Sequence, residues 1–298
     1  MNRKGRAKIV IPFLLPAIIL YAYFFMIPAV KSFYISLNSW NGFNKTKAFV
    51  GLQNFIELSK DEVFGVAIVN TLYYTFVGGL ATFAIALLFT FFFAQKGMRG
   101  KGLFSNLFYF PNMVSQAALS VLWAFVFNPN FGLFNNIFTA LGIKQYEPIW
   151  LGSRWMGITS ITLASVLSFM GFYLILLIAG LDKIPGTYYE VASVEGASEI
   201  LIFFKVTLPL LWDVLVIAIS LWVISAMKYF EFVWALTMGG PANQTHTIGT
   251  YMYLTAFGQN IPIFRLGYAT AISVVMFVMV VILVGGFRKI FEGEQLEY

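Results

Sequence analysis

The stretch YYEVASVEGASEILIFFKVTLPLL, Tyr188–Leu211, separates two apolar segments and mixes acids, small residues and a glycine. Thr187 stands three residues before Glu190, and this spacing predicts a capping box at the start of a short helix. Gly196 predicts a bend, because glycine is unfavourable inside a helix. Ser198 is a suitable N-cap for a second short helix. The sequence therefore predicts a helical hairpin over about residues 185–209.

The residues of the hairpin permit two interpretations. Short helical connectors are common between longer elements, and the hairpin is then only a link. It also has the features of a docking element. Ala192, Gly196 and Ala197 keep one side thin enough for close approach, and acids are available to a basic groove. The residues alone leave both interpretations open.

The flanking composition indicates a membrane protein. The chain has 298 residues, of which 59% are hydrophobic and 11% are charged, whereas a soluble domain has roughly 25% charged residues. Cysteine is absent, so disulfides, iron–sulfur clusters and thiolate metal sites are excluded. The one histidine, His246, excludes histidine-rich metal sites, and we expect it to be exposed and without a special role.

Apolar runs with few charges predict six membrane-spanning helices, since a span needs about 20 apolar residues. The predicted spans are residues 9–30, 67–95, 103–127, 156–181, 207–230 and 266–287. An even number of spans places both termini on one side. Basic segments at residues 2–8, 96–101 and 287–291 make that side cytoplasmic by the positive-inside rule. The net charge of +6 is then topological, and no nucleic acid partner is expected. The first apolar run is too long for a cleaved signal peptide.

The hairpin resembles the EAA signature of binding-protein-dependent ABC import permeases. The matching residues are Glu190, Ala192, Gly196, Ala197, Phe203, Leu208 and Pro209. The stretches FVGLQNFIELSKDEVFGVAIVNTLYYT, LTMGGPANQT and LGYATAISVVMFVMVVI resemble the carbohydrate-uptake branch, of maltose and glycerol-phosphate type. Val191 departs from the usual first alanine. Trp212 and Asp213 replace a basic residue and a second proline, and the sequence assigns Asp213 no role.

The resemblance implies an all-α protein with the type I ABC importer permease fold, formed by residues 1–298 as a single transmembrane domain. It implies half of a translocation path in a bacterial or archaeal plasma membrane. The expected partners are a second homologous permease, two cytosolic ABC ATPases, an external solute-binding protein and the lipid bilayer. ATP and Mg²⁺ belong to the ATPases, because this chain has no Walker loop and no cofactor or enzymatic activity of its own. The expected ATPase-coupling residues are Glu190, Ala192, Glu195, Gly196, Ala197, Phe203 and Pro209.

Span five carries the candidate solute path. Trp222, Ser225, Tyr229 and Phe232 recur at helical spacing, and Lys228 and Glu231 lie alongside them. Aromatic faces beside hydrogen-bonding groups suit sugar rings, but the same spacing is also typical of core packing. Lys228 and Glu231, three residues apart, could pair with each other and leave the path to a neutral oligosaccharide, which we favour. Alternatively, Lys228 neutralises an acidic solute.

Other functions remain to be weighed against a sugar importer. An ion-gradient-driven secondary transporter usually shows repeats and intramembrane carboxylates, and the spans of this chain are nearly free of acids. A membrane enzyme needs a catalytic constellation that the sequence lacks. Within ABC import, the solute could also be a polyol, a glycerol phosphate or an acidic oligosaccharide.

Overall fold

The computed structural model describes residues 3–95, 100–143, 148–259 and 261–291, with side chains from residue 12 onward. Within the basic segment at residues 96–101, positions 96–99 lie outside the described residues, as do residues 1–2. The chain folds into two compact units, each of which is described by itself. The first comprises Met1–Asp61 and Met252–Phe277, and the second comprises Glu62–Tyr251 and Val278–Tyr298.

Helices make up nearly all regular structure in the described part of the chain. They are α1 (Arg3–Tyr21), α2 (Ile27–Ser36), α3 (Gln53–Leu58), α4 (Glu62–Tyr73), α5 (Gly79–Ala94), α6 (Lys101–Tyr109), α7 (Gln116–Val126), α8 (Leu133–Ala140), α9 (Arg154–Leu181), α10 (Gly186–Val194), α11 (Glu199–Ile202), α12 (Leu208–Leu210), α13 (Trp212–Met227), α14 (Glu231–Thr237), α15 (Ile248–Phe257) and α16 (Leu266–Phe291). Three π-helical turns (Ala22–Met26, Tyr74–Gly78, Phe203–Thr207) and one 3₁₀ turn (Phe110–Met113) join neighbouring helices. The strands β1 (Asn38–Ser39) and β2 (Ala48–Phe49) pair antiparallel.

The first unit contains an exposed apolar helical stretch and a segment around α3 that is fixed by side-chain contacts. The apolar stretch Pro12–Ser36 buries none of its most hydrophobic window, which is the surface expected of a helix that faces lipid or another chain. Helix α3 is held by an ion pair in which Nη2 of Arg265 donates to both carboxylate oxygens of Glu57, at 2.7 and 2.6 Å. The hydroxyl of Tyr268 donates to Asp61 at 2.6 Å.

The second unit is organised around α9, which packs along α5 and α13. Most of the apolar and hydroxyl side chains of α9 are buried, including Ile158, Ile161 and Leu177. A helix that is apolar all round is typical of the centre of a membrane bundle, because it contacts other helices on every side. This unit contains both candidate sites.

Four predicted spans correspond to long apolar helices, namely Pro12–Ser36, Glu62–Ala94, Arg154–Leu181 and Leu266–Phe291. The two others are not continuous helices. The segment at 103–127 divides into α6 and α7, because Pro111 opens a 3₁₀ turn and Ser115 then caps a new helix. The segment at 207–230 is also broken, since Glu199–Leu210 and Trp212–Met227 meet at 68°. The number of six spans, and the placement of the termini, stay predictions.

Candidate functional site

The first helix of the hairpin begins earlier than the sequence predicts. Pro185 occupies the N-cap position in an extended conformation, and α10 starts at Gly186 without a side-chain cap bond. Thr187 is therefore already inside the helix, where its hydroxyl is not in the N-cap position. The predicted capping box of Thr187 and Glu190 is wrong, because proline fixes the backbone one residue before the helix begins.

The bend at Gly196 is confirmed, and its hydrogen bonds form a Schellman motif. Gly196 has a φ of +77°, a left-handed conformation that glycine adopts without steric cost. The amide of Ala197 donates to the carbonyl of Ala192 at 3.0 Å, and the amide of Gly196 donates to Ser193 at 3.1 Å. These two bonds satisfy the last carbonyls of α10 and turn the chain sharply.

The second arm of the hairpin starts at the predicted cap. The hydroxyl of Ser198 accepts a hydrogen bond from the amide of Leu201 at 3.4 Å, and Glu199 lies in the first turn. The helix continues through the π-helical turn to Leu210 and then bends into α13. Asp213, which the sequence leaves without a role, lies in the first turn of α13, where a carboxylate is favourable beside the helix dipole.

The hairpin displays apolar side chains outward. Val194 is 87% exposed, and Val191, Ile200 and Phe204 are also exposed. Of the predicted coupling residues, Glu190, Glu195, Gly196 and Pro209 are exposed, Ala192 and Ala197 are half-buried, and Phe203 is buried. No part of the described chain covers these exposed apolar side chains, and such a patch is typical of a surface that binds a protein partner.

Phe203 anchors the hairpin to the end of span two. Its ring meets the ring of Phe91 edge-on, with centroids 5.2 Å apart. Between the two elements lies a cavity of about 120 Å³, lined by Phe91, Ala94, Gln95, Tyr189, Ser193, Glu199, Ile202, Phe203 and Thr207. A displacement of the hairpin would thus act directly on the C-terminal end of α5.

A second cavity, of about 200 Å³, lies among the spans of this unit. We call it the aromatic cavity, and it is lined by Tyr74, Asn112, Gln116, Phe169, Phe172, Tyr173, Trp222, Ser225, Ala226 and Tyr229. Most of these side chains are aromatic rings, and the others, apart from one alanine, supply hydroxyl or amide groups. None of the lining residues carries a charge.

The π-helical turn between α4 and α5 builds one wall of the aromatic cavity. A π-helical turn interrupts the regular α-helical hydrogen bonding of a span and is frequent at functional sites. The carbonyl of Thr75 in this turn accepts a hydrogen bond from the indole nitrogen of Trp222 at 2.8 Å. Gly79 allows this contact, because a Cβ there would overlap the indole ring.

Tyr229 forms the neighbouring wall. Its ring stacks on the ring of Tyr74, with centroids 4.4 Å apart and planes 11° apart. Its hydroxyl lies 2.6 Å from the hydroxyl of Ser165 on α9. Both tyrosines are buried, so ring and hydroxyl are held from two directions. The wall is therefore rigid, which suits recognition of a ring-shaped solute.

The predicted path residues are distributed on both sides of a helix break. Trp222, Ser225 and Tyr229 line the aromatic cavity. Phe232 is buried behind Tyr229, with ring centroids 5.9 Å apart. The helical spacing assumed for these four residues is wrong beyond Met227, where α13 ends.

The predicted partners Lys228 and Glu231 lie outside the lining of the cavity. Lys228 is the C-cap of α13 and Glu231 begins α14, so the two residues do not share a helix. Both are exposed. Within the described part of the chain no ion pair joins them. The internal pair that favoured a neutral solute is thus not formed.

Sequence reasoning missed seven of the lining residues, namely Tyr74, Asn112, Gln116, Phe169, Phe172, Tyr173 and Ala226. The aromatic residues among them belong to spans two and four and look like ordinary core residues in sequence. Asn112 and Gln116 carried a usable signal, because they are polar residues in the middle of a predicted span, beside Pro111.

The expectation that His246 is exposed is wrong. The imidazole is fully buried, and its nitrogens lie 3.1 Å from the hydroxyl of Thr250 and 3.3 Å from Asn243 Oδ1. Burial lowers the pKa of His246 to about 4. Gly239 packs against the ring so closely that a Cβ would overlap it, and its φ is +84°. We call residues 238–247, which surround this histidine, the GGP loop.

Among the described residues no group of three or more histidine, aspartate or glutamate side chains could hold a metal ion. The polar groups of the aromatic cavity are hydroxyls and amides, which bind neutral hydrogen-bonding solutes.

Comparisons with known proteins agree with this architecture. Residues 73–293 match the family model described as "binding-protein-dependent transport system inner membrane component". The trehalose/maltose transport system permease protein MalF of Thermococcus litoralis is 31% identical over 288 residues, covering 95% of each chain. The sn-glycerol-3-phosphate transport system permease protein UgpA of Agrobacterium fabrum is 30% identical over 277 residues, covering 92% of each chain.

A solved structure has the same fold. It is the crystal structure of a bacterial alginate ABC transporter in complex with an alginate pentasaccharide-bound periplasmic protein. The TM-score is 0.81 with 21% sequence identity, and the alignment covers 96% of this chain and 94% of the other. The likeness supports the all-α ABC importer permease fold.

Proposed function

The chain belongs to the family of binding-protein-dependent transport system inner membrane components, and from this membership we propose that its aromatic cavity passes a sugar or oligosaccharide. Membership confirms a multi-pass inner-membrane permease subunit that works with a binding protein. It also confirms that the chain is a permease and not an enzyme, with the ATPase in separate subunits. The alternative of an ion-gradient-driven transporter is thereby set aside.

The uncharged lining of the aromatic cavity carries the proposal. Tyr74, Tyr173, Trp222 and Tyr229 supply aromatic rings to the lining, and Asn112, Gln116 and Ser225 supply donors and acceptors. Sugar rings present apolar C–H faces and hydroxyl edges, so stacked rings with a few polar groups match both. The maltose and alginate systems among the similar proteins handle saccharides, which agrees with this chemistry.

The hairpin supplies the coupling part of the proposed function. Its exposed apolar and acidic residues would dock on a cytosolic ATPase, and its attachment to α5 through Phe203 would carry the motion to span two. One chain supplies one hairpin, and the closure of two ATPases around ATP needs two. We therefore expect a second, homologous permease in the complex. No cofactor is expected in this chain, and ATP and Mg²⁺ are used by the ATPases.

The decisive experiment replaces a lining amide. Gln116 is the first residue of α7 and faces the aromatic cavity. Gln116→Leu should raise the KM for uptake of the transported sugar about tenfold, because a hydroxyl of the solute loses its partner in the site. Gln53→Leu is the matched control, since Gln53 is also the first residue of a helix but is exposed in the other unit. Equal KM values for Gln116→Leu and wild type would remove the cavity from the solute path.

A second candidate solute, an acidic oligosaccharide, is favoured by Lys228. This lysine is exposed at the end of α13, two residues after the lining residue Ala226, and forms no ion pair with Glu231. Uptake of neutral and uronate-containing oligosaccharides should be measured for wild type and Lys228→Met. Loss of acidic uptake alone would identify the solute as acidic, and equal effects on both would keep the neutral assignment.

A further inference from the structure

We propose that the GGP loop sets the position of Tyr229 in the wall of the aromatic cavity, so that Asn70, Thr71 and Thr247 act as positioning residues for solute passage. The proposal rests on the proposed function only in taking the cavity as the solute site. It concerns residues that neither the hairpin nor the cavity lining includes.

The break between α13 and α14 creates the need for a positioning contact. The carbonyl of Tyr229 lies beyond the end of α13 at Met227 and before α14, so no regular helix bond is available to it there. A carbonyl without a partner at membrane depth is costly. The hydroxyl of Thr247 donates to this carbonyl at 2.7 Å, and both residues are buried.

The backbone around Thr247 also touches the break directly. Gly249, in the first turn of α15, has no Cβ, and a Cβ there would lie 3.2 Å from the carbonyl oxygen of Tyr229 and 3.3 Å from Cβ of Phe230. The start of α15 and the break are therefore in backbone contact. Because the two segments are in direct contact, a movement of one displaces the other.

Span two holds the GGP loop from the opposite side. The amide of Asn70 donates to the carbonyls of Gln244 and His246 at 2.8 and 2.9 Å, and its oxygen accepts from Arg154 Nε at 3.3 Å. All hydrogen-bonding atoms of the Asn70 side chain are thus used. Asn70 has no exposed surface.

Thr71 adds a second point of attachment. Its hydroxyl accepts a hydrogen bond from the amide of Ile248 at 2.9 Å and donates to Ala67 at 2.8 Å. The amide of Ile248 belongs to the first residue of α15, where helix amides otherwise lack partners. Span two therefore holds the loop at Gln244 and His246 and holds the chain again at Ile248, directly after the loop.

The consequence concerns the ring of Tyr229. Its hydroxyl is held by Ser165 and its face by Tyr74, while its carbonyl is held by Thr247. Releasing the loop frees the backbone of the break, and the ring then leaves its stack on Tyr74. The wall opens, and the cavity becomes more accessible.

Cysteine labelling measures this opening and needs no solute. The chain has no cysteine of its own, so an introduced cysteine is its only labelling site. Ala226→Cys places a reporter in the cavity at a buried position, and the probe is a small charged maleimide applied to the purified transporter complex in lipid nanodiscs. Thr247→Val keeps the shape of the side chain and removes its donor. We expect labelling about tenfold faster, since an unsatisfied buried carbonyl shifts the opening equilibrium by about this factor. Thr247→Ser should restore the wild-type rate.

Two controls separate positioning from general loosening. Thr90→Val makes the same change in span two, where Thr90 is buried and its hydroxyl donates to Ala86 in its own helix. It should leave the labelling rate unchanged. A reporter at Gln53→Cys, which is exposed in the other unit, should label equally in every variant. If Thr247→Val does not assemble, Asn70→Asp tests the anchoring of the same loop, because it keeps the acceptor for Arg154 and loses the donor to the carbonyls of Gln244 and His246.

The outcomes distinguish this proposal from the proposed function. Equal labelling at Ala226→Cys in the Thr247→Val and Thr90→Val backgrounds overturns the positioning role, whatever the uptake. Faster labelling together with a higher KM for uptake supports both proposals. Faster labelling with an unchanged KM keeps the positioning role and removes the aromatic cavity from the solute path.

Discussion

The hairpin and the aromatic cavity lie in the same unit and are built in opposite ways. The hairpin takes its shape from contacts within a few residues, such as the bond from Ala197 to Ala192, and it exposes Val194. The cavity draws its wall from distant parts of the chain, since Trp222 bonds to Thr75 and Tyr229 to Ser165. The difference teaches that the surface proposed for a protein partner is encoded locally, whereas the surface proposed for a solute depends on the packing of the spans.

The largest effect is expected where the hairpin turns. Gly196→Leu forces a side chain into a left-handed conformation, which costs roughly 1–2 kcal/mol, and no neighbouring atom lies within 4 Å to compensate. The turn should open, uptake should be abolished, and ATPase subunits should co-purify poorly, while the protein remains in the membrane.

Gly186→Leu is the matched control for this variant. Gly186 also has open space around it, and its φ is not in the left-handed region. Uptake and co-purification should therefore stay near wild type. Normal uptake by Gly196→Leu would break the comparison, because the local shape of the hairpin would then be irrelevant to coupling.

The next prediction concerns the pH dependence of stability, which tests whether the GGP loop excludes water from His246. Burial lowers the pKa of His246 from 6.5 to about 4, and its near neighbours Asn243, Thr250, Trp234 and Tyr251 are uncharged at these pH values. The unfolded chain takes up the proton below pH 6.5, but the folded chain does not. The stability of the neutral form is therefore complete above pH 6.5 and falls progressively towards pH 4.

His246→Gln removes this titration. The difference in thermal stability between wild type and variant should change by about 2 kcal/mol between pH 7.5 and pH 4.5, with wild type losing more. The midpoint of thermal unfolding, followed by intrinsic fluorescence across this range, measures it. Parallel curves for the two proteins would mean that the histidine is hydrated, and the loop more open than the hydrogen bonds indicate.

The two regions also differ in how much of them the sequence predicts. The bend at Gly196 and the cap at Ser198 follow from residue type, because glycine and serine have strong local preferences. The family follows from the same segment. Tyr74 was not found, since its place in the wall depends on a π-helical turn, and no residue type signals such a turn.

The wrong predictions have two kinds of physical cause, namely competing signals nearby in sequence and contacts with residues distant in sequence. The capping box at Thr187 was displaced by Pro185, a competing local signal two residues earlier. The helix assumed through Tyr229 was interrupted by contacts from Thr247 and Gly249, which are distant from the break in sequence. His246 looked exposed because its loop is polar, and its burial results from packing against Gly239 and Trp234.

A smaller effect probes the long-range bonds of the cavity. Trp222→Phe keeps a ring and removes the donor to the buried carbonyl of Thr75, so uptake should fall about tenfold. Trp212→Phe removes a bond of the same length, 2.8 Å, to the carbonyl of Phe291 at an exposed site, where water replaces the donor. Uptake by the second variant should be close to wild type. Equal losses would show that burial does not set the importance of these bonds.

The smallest effect separates the two caps that the sequence offers for the hairpin. Ser198→Ala removes the acceptor for the amide of Leu201 and should destabilise the second arm by about 1 kcal/mol. Thr187→Ala should leave the stability of the first arm almost unchanged, because Thr187 lies inside α10 and Pro185 occupies the N-cap position. Hydrogen exchange of the peptides that cover residues 186–194 and 199–210 measures each arm separately. We expect roughly fivefold faster exchange in the second arm for Ser198→Ala and unchanged exchange in both arms for Thr187→Ala. Faster exchange of the first arm in Thr187→Ala would instead support the capping box of Thr187 and Glu190, and with it the predicted start of the hairpin.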